Sequence, residues 1–288
     1  MFLVSFDNEY KKMKFPVVRT EQDSLMILIK KLLTRKKKPL EKFNPLGVLF
    51  INKTPDTEAI NQFKAMFNCA QIPVSYMFIV AFRYIAQLLV SSEIPSRLLG
   101  MIHLSSDFSI VNQHNWAQPC DIEVCIVSFT KTEKGITYLI NTKFFQGGQL
   151  TLINENRFFE RDVLYSGNLR KSGQGVAQVD IMAKKRFTPK MARGYAKVSK
   201  DYNPIHLNPW LAKLLGMKSA IMHGMYGLHW LLTQEGLVDF SVNQSINVQF
   251  NRPCYLPSNV LLTKYRDNDC YGLFSENLTD RFMKVSLT

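Results

Sequence analysis

Two apolar segments, each followed by a run of strand-like segments, place the strongest limit on how this chain can fold. The first, SYMFIVAFRYIAQLLV (75–90), contains Arg83 and is shorter than the ~20 residues a membrane span needs, so it predicts a buried helix over about 75–91. MIHLSSDFSIV, DIEVCIVSFT, GITYLINTKFF and QLTLINENRFF follow, rich in β-branched and aromatic residues and separated by turn residues. The second, MHGMYGLHWLLTQEG, is closed by Gly236 and precedes SINVQFN, SNVLLTKYRD, CYGLFSEN and RFMKVSLT. A strand, DIMAKKRF, and a helix opened by Thr188-Pro189 as N-cap and N1 lead into it. Consecutive antiparallel strands around one long apolar helix, twice over, predict an α+β architecture. Each such sheet leaves edges that a second copy covers or extends, so two units in one chain imitate a dimer. YSGNLRKSGQGVAQVD (165–180) is the linker candidate. The chain thus divides into a basic N-terminal segment (1–60, partly attached to the first unit), a first unit (61–170) and a second unit (171–288).

Charge bears on partners rather than on fold. The net charge of +13 favours an acidic partner: nucleic acid, a membrane surface, a phosphate-bearing cofactor or an acidic carrier protein. Much of the excess sits at Lys30, Lys31, Arg35, Lys36, Lys37 and Lys38, a run that reads first as a solvated arm or helix face. No finger spacing, heptad repeat or RNP-like aromatic string supports nucleic acid. The five cysteines form no CxxC pair, so neither zinc nor a disulfide framework is predicted and a reducing, cytoplasmic setting is expected. MFLVSFDNEYKK carries charge too early for a signal peptide. The final SLT is no peroxisomal tripeptide.

The chemistry concentrates in DYNPIH (201–206). On a continuous helix Asp201 and His206 would stand about 500° apart and could not share a face. Pro204 forces Asn203 out of the α region, so the incoming helix ends near Asp201 and His206 turns back to face it. The turn is expected to face the surface. Asp, Asn and Pro are ordinary turn residues, so spacing alone leaves both a turn and an acid–base pair open. The next element favours chemistry. His223-Gly224-Met225 opens the second apolar helix, and Gly224 lets substrate approach main-chain N–H groups suited to a polarised oxygen. His223 supports its turn by hydrogen bonding, and His229 reads as a half-buried core histidine. Met222, Met225, Trp230 and Leu231 are core positions by periodicity. No HExxH-like spacing points to a metal.

These residues carry a resemblance. KDYNPIHLNPWLAKLLGMKSAIMHGM resembles the hydratase 2 signature of MaoC-like enoyl-CoA hydratases, in both its Asp-x-Asn-Pro-x-His core and the HGM seventeen residues after the histidine. NVQFNRPCYLPSNVLLTKY resembles that family's strand–Arg-Pro–strand segment. IPVSYMFIVAFRYIAQLL and LLGMIHLSSDFSI resemble the degenerate N-terminal unit of double hot dog dehydratases. The resemblance covers about residues 70–288. It implies a double hot dog, two antiparallel sheets each wrapped around a central apolar helix, that interconverts trans-2-enoyl and (R)-3-hydroxyacyl thioesters. By motif position Asp201 and His206 hold the water, Asn203 orients the loop and the Gly224 amide holds the thioester oxygen. His223, Met225 and Tyr202 are assigned to substrate binding, with Lys36, Lys37 and Lys38 as phosphate contacts. No cofactor or metal is implied, and a homodimer of double hot dogs stays open. Asn208, Gly216-Met217 and Leu232 depart from the family's usual aspartate, Gly-Phe and small hydroxyl residue. FNPLG (43–47) lacks both acid and histidine, so one site per chain is expected. Two other readings remain: a dehydratase acting on acyl carrier protein, and a non-catalytic acyl-thioester binding module.

Overall fold

The computed structural model describes residues 17–19, 46–54, 56–91, 101–162, 178–238 and 241–288. The basic run with Lys36, Lys37 and Lys38, and most of the linker candidate, lie outside them. The first unit consists of β1 (Val17–Arg19), β2 (Leu46–Lys53), α1 (Thr57–Phe67), α2 (Tyr76–Ser91), β3 (Ile102–Ile110), β4 (Cys120–Thr132), β5 (Gly135–Gln146) and β6 (Gln149–Arg161). The second has β7 (Val179–Phe187), α3 (Pro189–Ser199), α4 (Pro204–Leu207), α5 (Pro209–Leu214), α6 (Gly224–Gln234), β8 (Ser245–Phe250), β9 (Ser258–Tyr265), β10 (Cys270–Ser275) and β11 (Arg281–Leu287).

The strands form one continuous sheet in the order β1-β2-β4-β5-β6-β3-β8-β11-β10-β9-β7. Within it lie two five-stranded units of identical topology. Numbering strands from the start of each unit after β1, both run 1-3-4-5-2 from edge to middle. The second strands, β3 and β8, pair antiparallel where the units meet, Asp107 opposite Asn247. The two helix-wrapped sheets of the double hot dog are therefore joined edge to edge, which removes two exposed edges.

The sequence reading omits β1, α4 and α5 and, with more consequence for the core, β2 and α1. LGVLFINK, inside the segment set apart as basic, is β2 and pairs with β4. TEAINQFKAMF is α1, capped by Asp56 through the N–H groups of Glu58 and Ala59. Its Phe63 and Phe67 pack edge-on against His229 of α6, so α1 bridges the units. The main core cluster runs through both units without a break, from Phe50 and Phe63 to Leu273 and Val285.

The predicted turn chemistry is visible around α3. Thr188 caps it by accepting from the Met191 N–H, with Pro189 following at the first helical position. The helix stops at Lys200, held in the left-handed region at φ 59°, and the chain is released at Asp201.

Candidate active site

Asp201 begins a short relay of turns. Its Oδ1 accepts the Asn203 N–H at 3.1 Å, and Asn203, extended before Pro204, caps α4 by accepting from Ile205 N–H. Asn208 caps α5 through the N–H groups of Trp210 and Leu211, a role that the carboxylate usual in the family would also fill. Ile221 N–H donates to the Ile205 carbonyl at 3.0 Å. This pins α4 beside the segment leading to α6.

The result faces His206 toward Asp201. Nδ1 of His206 lies 3.0 Å from the Ile221 carbonyl. A carbonyl only accepts, so Nδ1 carries the proton and Nε2 keeps its lone pair. That Nε2 stands 3.9 Å from Asp201 Oδ2, too far for a direct hydrogen bond. The pair is not on an exposed turn, as the sequence suggested: the two side chains are only 10% and 18% exposed. α4 closes back over them because Ile205 and Ala212 seal a small apolar cluster with Ile221.

Burial dominates the titration of both groups. It raises the Asp201 carboxyl, against the lowering effects of His206 and the Asn203 N–H. It lowers His206, against the raising effects of Asp201 and the Ile221 carbonyl. The two proton affinities are thus moved toward one another.

His223 is more deeply engaged than a turn support. Its Nε2 donates to the Asp201 main-chain carbonyl at 3.1 Å, and its ring stacks on His206 with centroids 3.7 Å apart and planes at 24°. Its Nδ1 is buried with no partner among the described residues. Burial, reinforced by His206, holds it well below the usual histidine range. His229, read as half-buried, is fully buried. Its Nδ1 meets the Tyr195 hydroxyl at 3.2 Å, because α1 covers the face that periodicity alone left open.

Asp201, His206 and His223 each bring a ligand-type atom within 4.8 Å of the others, a cluster that linear spacing did not suggest. An imidazole binds an ion in its ring plane. Two rings stacked 3.7 Å apart do not aim their lone pairs at one point.

Gly224 starts α6, whose N-cap residue His223 makes no side-chain cap bond. A Cβ at Gly224 would lie 2.7 Å from the Phe250 ring. The missing side chain therefore admits Phe250 of β8, where the sequence reading had reserved the space for substrate.

All of this opens on a cavity of 2180 Å³ lined by both units: Phe78, Phe82 and Leu89 of α2, His103 of β3, and Asp201, His206, His223, Gly224 and Met225 of the second unit. Met225 is a buried wall residue. Tyr202 is 41% exposed at the rim, and Asn203 also lines the space. Leu232, by contrast, is fully buried. Among the described residues, no helix is long and apolar enough to cross a membrane, and the five cysteines are free thiols.

Comparison with known proteins bears on the fold and on the domain that holds these residues. A curated relative, 3-hydroxyacyl-thioester dehydratase X of Mycobacterium tuberculosis, is 24% identical over 221 residues, covering 76% of this chain and 78% of its own length. The crystal structure of HtdX from Mycobacterium tuberculosis matches with a TM-score of 0.73 at 20% identity, over 84% of this chain and 98% of that one. A solved MaoC-like dehydratase matches at 0.64 and 11% identity, over 83% and 95%. Residues 174–266 match the MaoC like domain model, the segment that holds DYNPIH and HGM. That segment is therefore a MaoC like domain, and the chain as a whole shares the double hot dog fold of these solved dehydratases.

Proposed function

We propose that this chain interconverts trans-2-enoyl and (R)-3-hydroxyacyl thioesters, as a dehydratase or in the reverse hydration. The observation that carries the reading is the 3.9 Å gap between Asp201 Oδ2 and His206 Nε2, beside a helix start that opens on the same cavity.

That gap suits one water held by both acceptors. In hydration the bare Nε2 of His206 takes a proton from this water while its oxygen bonds to C3. The C2–C3 π electrons move toward the thioester, and negative charge grows on the carbonyl oxygen. The Gly224 N–H meets that charge; one such preorganised donor is worth on the order of 3 kcal/mol. The enolate then collapses and C2 takes a proton from the same pair, Asp201 supplying the second site for it. One water is consumed, one O–H group and one hydrogen are added, and dehydration retraces the steps. Because burial moves Asp201 up and His206 down, the two compete for a proton more evenly than they would in water. Asn203 sets the loop, while Tyr202, His223 and Met225 line the substrate's path.

Lys200 and Lys218 at the cavity wall suit a carrier bearing phosphate, and Lys36, Lys37 and Lys38 remain proposed contacts. The test is turnover of crotonyl-CoA and of crotonyl-loaded carrier protein, with and without EDTA, followed by chiral analysis. Turnover of at least one substrate to an (R) product, unaffected by EDTA, is expected. An exclusively (S) product, or binding without turnover, overturns the reading.

A further inference from the structure

We propose that His223 is a positioning residue that locks the two catalytic side chains to the helix start carrying Gly224. This rests on the reading above.

Asp201 and His206 lie at opposite ends of a turn that contains no rigid element longer than the four residues of α4. Left alone, their gap would vary with every fluctuation of that turn. His223 touches both ends. Its Nε2–H holds the Asp201 carbonyl at 3.1 Å, and its ring lies flat on His206 at 3.7 Å. It is also the residue immediately before Gly224. One side chain therefore spans the acid, the base and the oxyanion donor.

The support behind it is firm. Met222, its neighbour, donates to the Cys254 carbonyl at 2.9 Å, and Ile221 donates to Ile205. The Tyr195 ring meets its edge at 5.0 Å and 64°, and Tyr195 is held in turn by His229. Histidine meets both demands with one small ring. Phenylalanine would keep the stack and lose the bond to Asp201; glutamine would keep an N–H donor and lose the stack.

The titratable groups facing His206 are Asp201 from the loop after α3 and His223 from the start of α6; Tyr195 of α3 lies beyond His223 and links it to His229. His206 and His223 are neutral together because burial lowers both. A charge on either ring would face the other at stacking distance.

The experiment uses the full chain with His223→Phe and His223→Gln. With crotonyl-CoA, kcat should fall by about 10- to 100-fold, the scale of a small misplacement of reacting groups, with KM within about threefold. The acidic limb of the rate profile should move to higher pH, because water reaching His206 relaxes its lowered proton affinity toward the ordinary value. Independently of activity, ¹⁵N NMR of the parent should show His206 protonated at Nδ1, and the glutamine variant, which loses the stack that holds the ring, should show tautomer averaging. Glutamine remains decisive should the phenylalanine variant not fold. Unchanged kcat, pH profile and His206 signals in a folded variant would overturn the proposal. A parent inactive on every thioester would sink the proposed function instead, leaving the NMR comparison to decide whether His223 positions His206.

Discussion

At the start of α2 the N–H groups of Tyr76, Met77 and Phe78 donate to the carbonyls of Pro73, Val74 and Ser75, at 2.9, 3.0 and 3.1 Å. At the start of α6, Tyr226 and Gly227 both turn to the His223 carbonyl. Among the described residues, Gly224 and Met225 have no such acceptor. The two helices occupy equivalent places in units of identical strand order, so topology does not account for the difference. Local sequence does. NCAQIPVS winds a tight turn that satisfies its own donors and inserts Tyr76, which is 1% exposed. In the second unit Ala220 accepts from Leu256, and Met222 donates to Cys254. These bonds hold the approach to α6 extended and leave its first donors facing the cavity. One unit closes its helix start and supplies a wall; the other keeps it open and carries the proposed chemistry.

The sharpest way to break this comparison is to disable the open site and ask whether the closed one contributes. Asp201→Asn keeps shape and hydrogen bonding but removes basicity, and His206→Ala removes the other proton carrier. Each should lower kcat by about 10²-fold or more, the usual scale for a positioned acid or base. Two groups sharing one water act as a unit, so the double variant should be little worse than the poorer single one. Steady-state kinetics of all three variants checks this, with thermal midpoints to exclude unfolding. Multiplying losses would mean that the residues act separately.

Gly224→Ala probes the same helix start from its packing side. The added Cβ meets the Phe250 ring at 2.7 Å, so that ring must shift from its packing on His103 toward the cavity it lines. Overpacking of this kind costs about 1–3 kcal/mol. Denaturant unfolding should show that loss, and adding Phe250→Leu should recover most of it. A fully stable Gly224→Ala protein would show that the glycine is not required for close packing.

Much of the scaffold was legible because its signals are local. Two apolar helices and eight following strands announce themselves by period and by turn residues, and Pro204 forces the turn between Asp201 and His206. The misses share a different cause. LGVLFINK looked like the end of a basic segment because its partner β4 lies some seventy residues away. The depth of His229 depends on Phe63 and Phe67, contributed by a helix 160 residues earlier. The His206–His223 stack unites residues seventeen apart through bonds made by Ile221. Period and motif see what one segment demands, and burial records what the rest of the chain brings to it.

Acid sensitivity compares the units on another scale. All five histidines of the chain are pushed below their ordinary range by burial. His103 and His229, one from each unit, are driven to about 3. A neutral buried histidine contributes stability above the unfolded value of 6.5, which is lost as pH falls from there toward the folded value. For fully buried His229, the loss at pH 5 is on the order of 2 kcal/mol. Asp201, raised in the fold, works in the opposite direction as a single group. Thermal midpoints should therefore fall from pH 7.5 to 5 in one transition, because a single core cluster joins the units. Either His103→Gln or His229→Gln should flatten that fall. Two separate transitions, each sensitive to only one substitution, would mean that the units unfold independently.

The smallest expected effect tests whether the closed helix start is truly inert. Ser75 is fully buried, and its hydroxyl has no partner among the described residues. Its place before α2 corresponds to that of His223 before α6, so it is where a second polar site would have to begin. Ser75→Ala deletes the hydroxyl and leaves the main-chain bonds of the turn intact. An unpartnered buried hydroxyl has already lost its water without compensation, so removing it is neutral or stabilising by up to about 1 kcal/mol. Turnover should stay within twofold of the parent, since Ser75 is not among the cavity-lining residues. A severalfold loss of kcat with an unchanged thermal midpoint would reverse this assignment. The helix starts would then be coupled across α1, whose Phe63 rests on both Tyr76 and His229. The first unit would have to be counted as part of the catalytic machinery rather than as its wall.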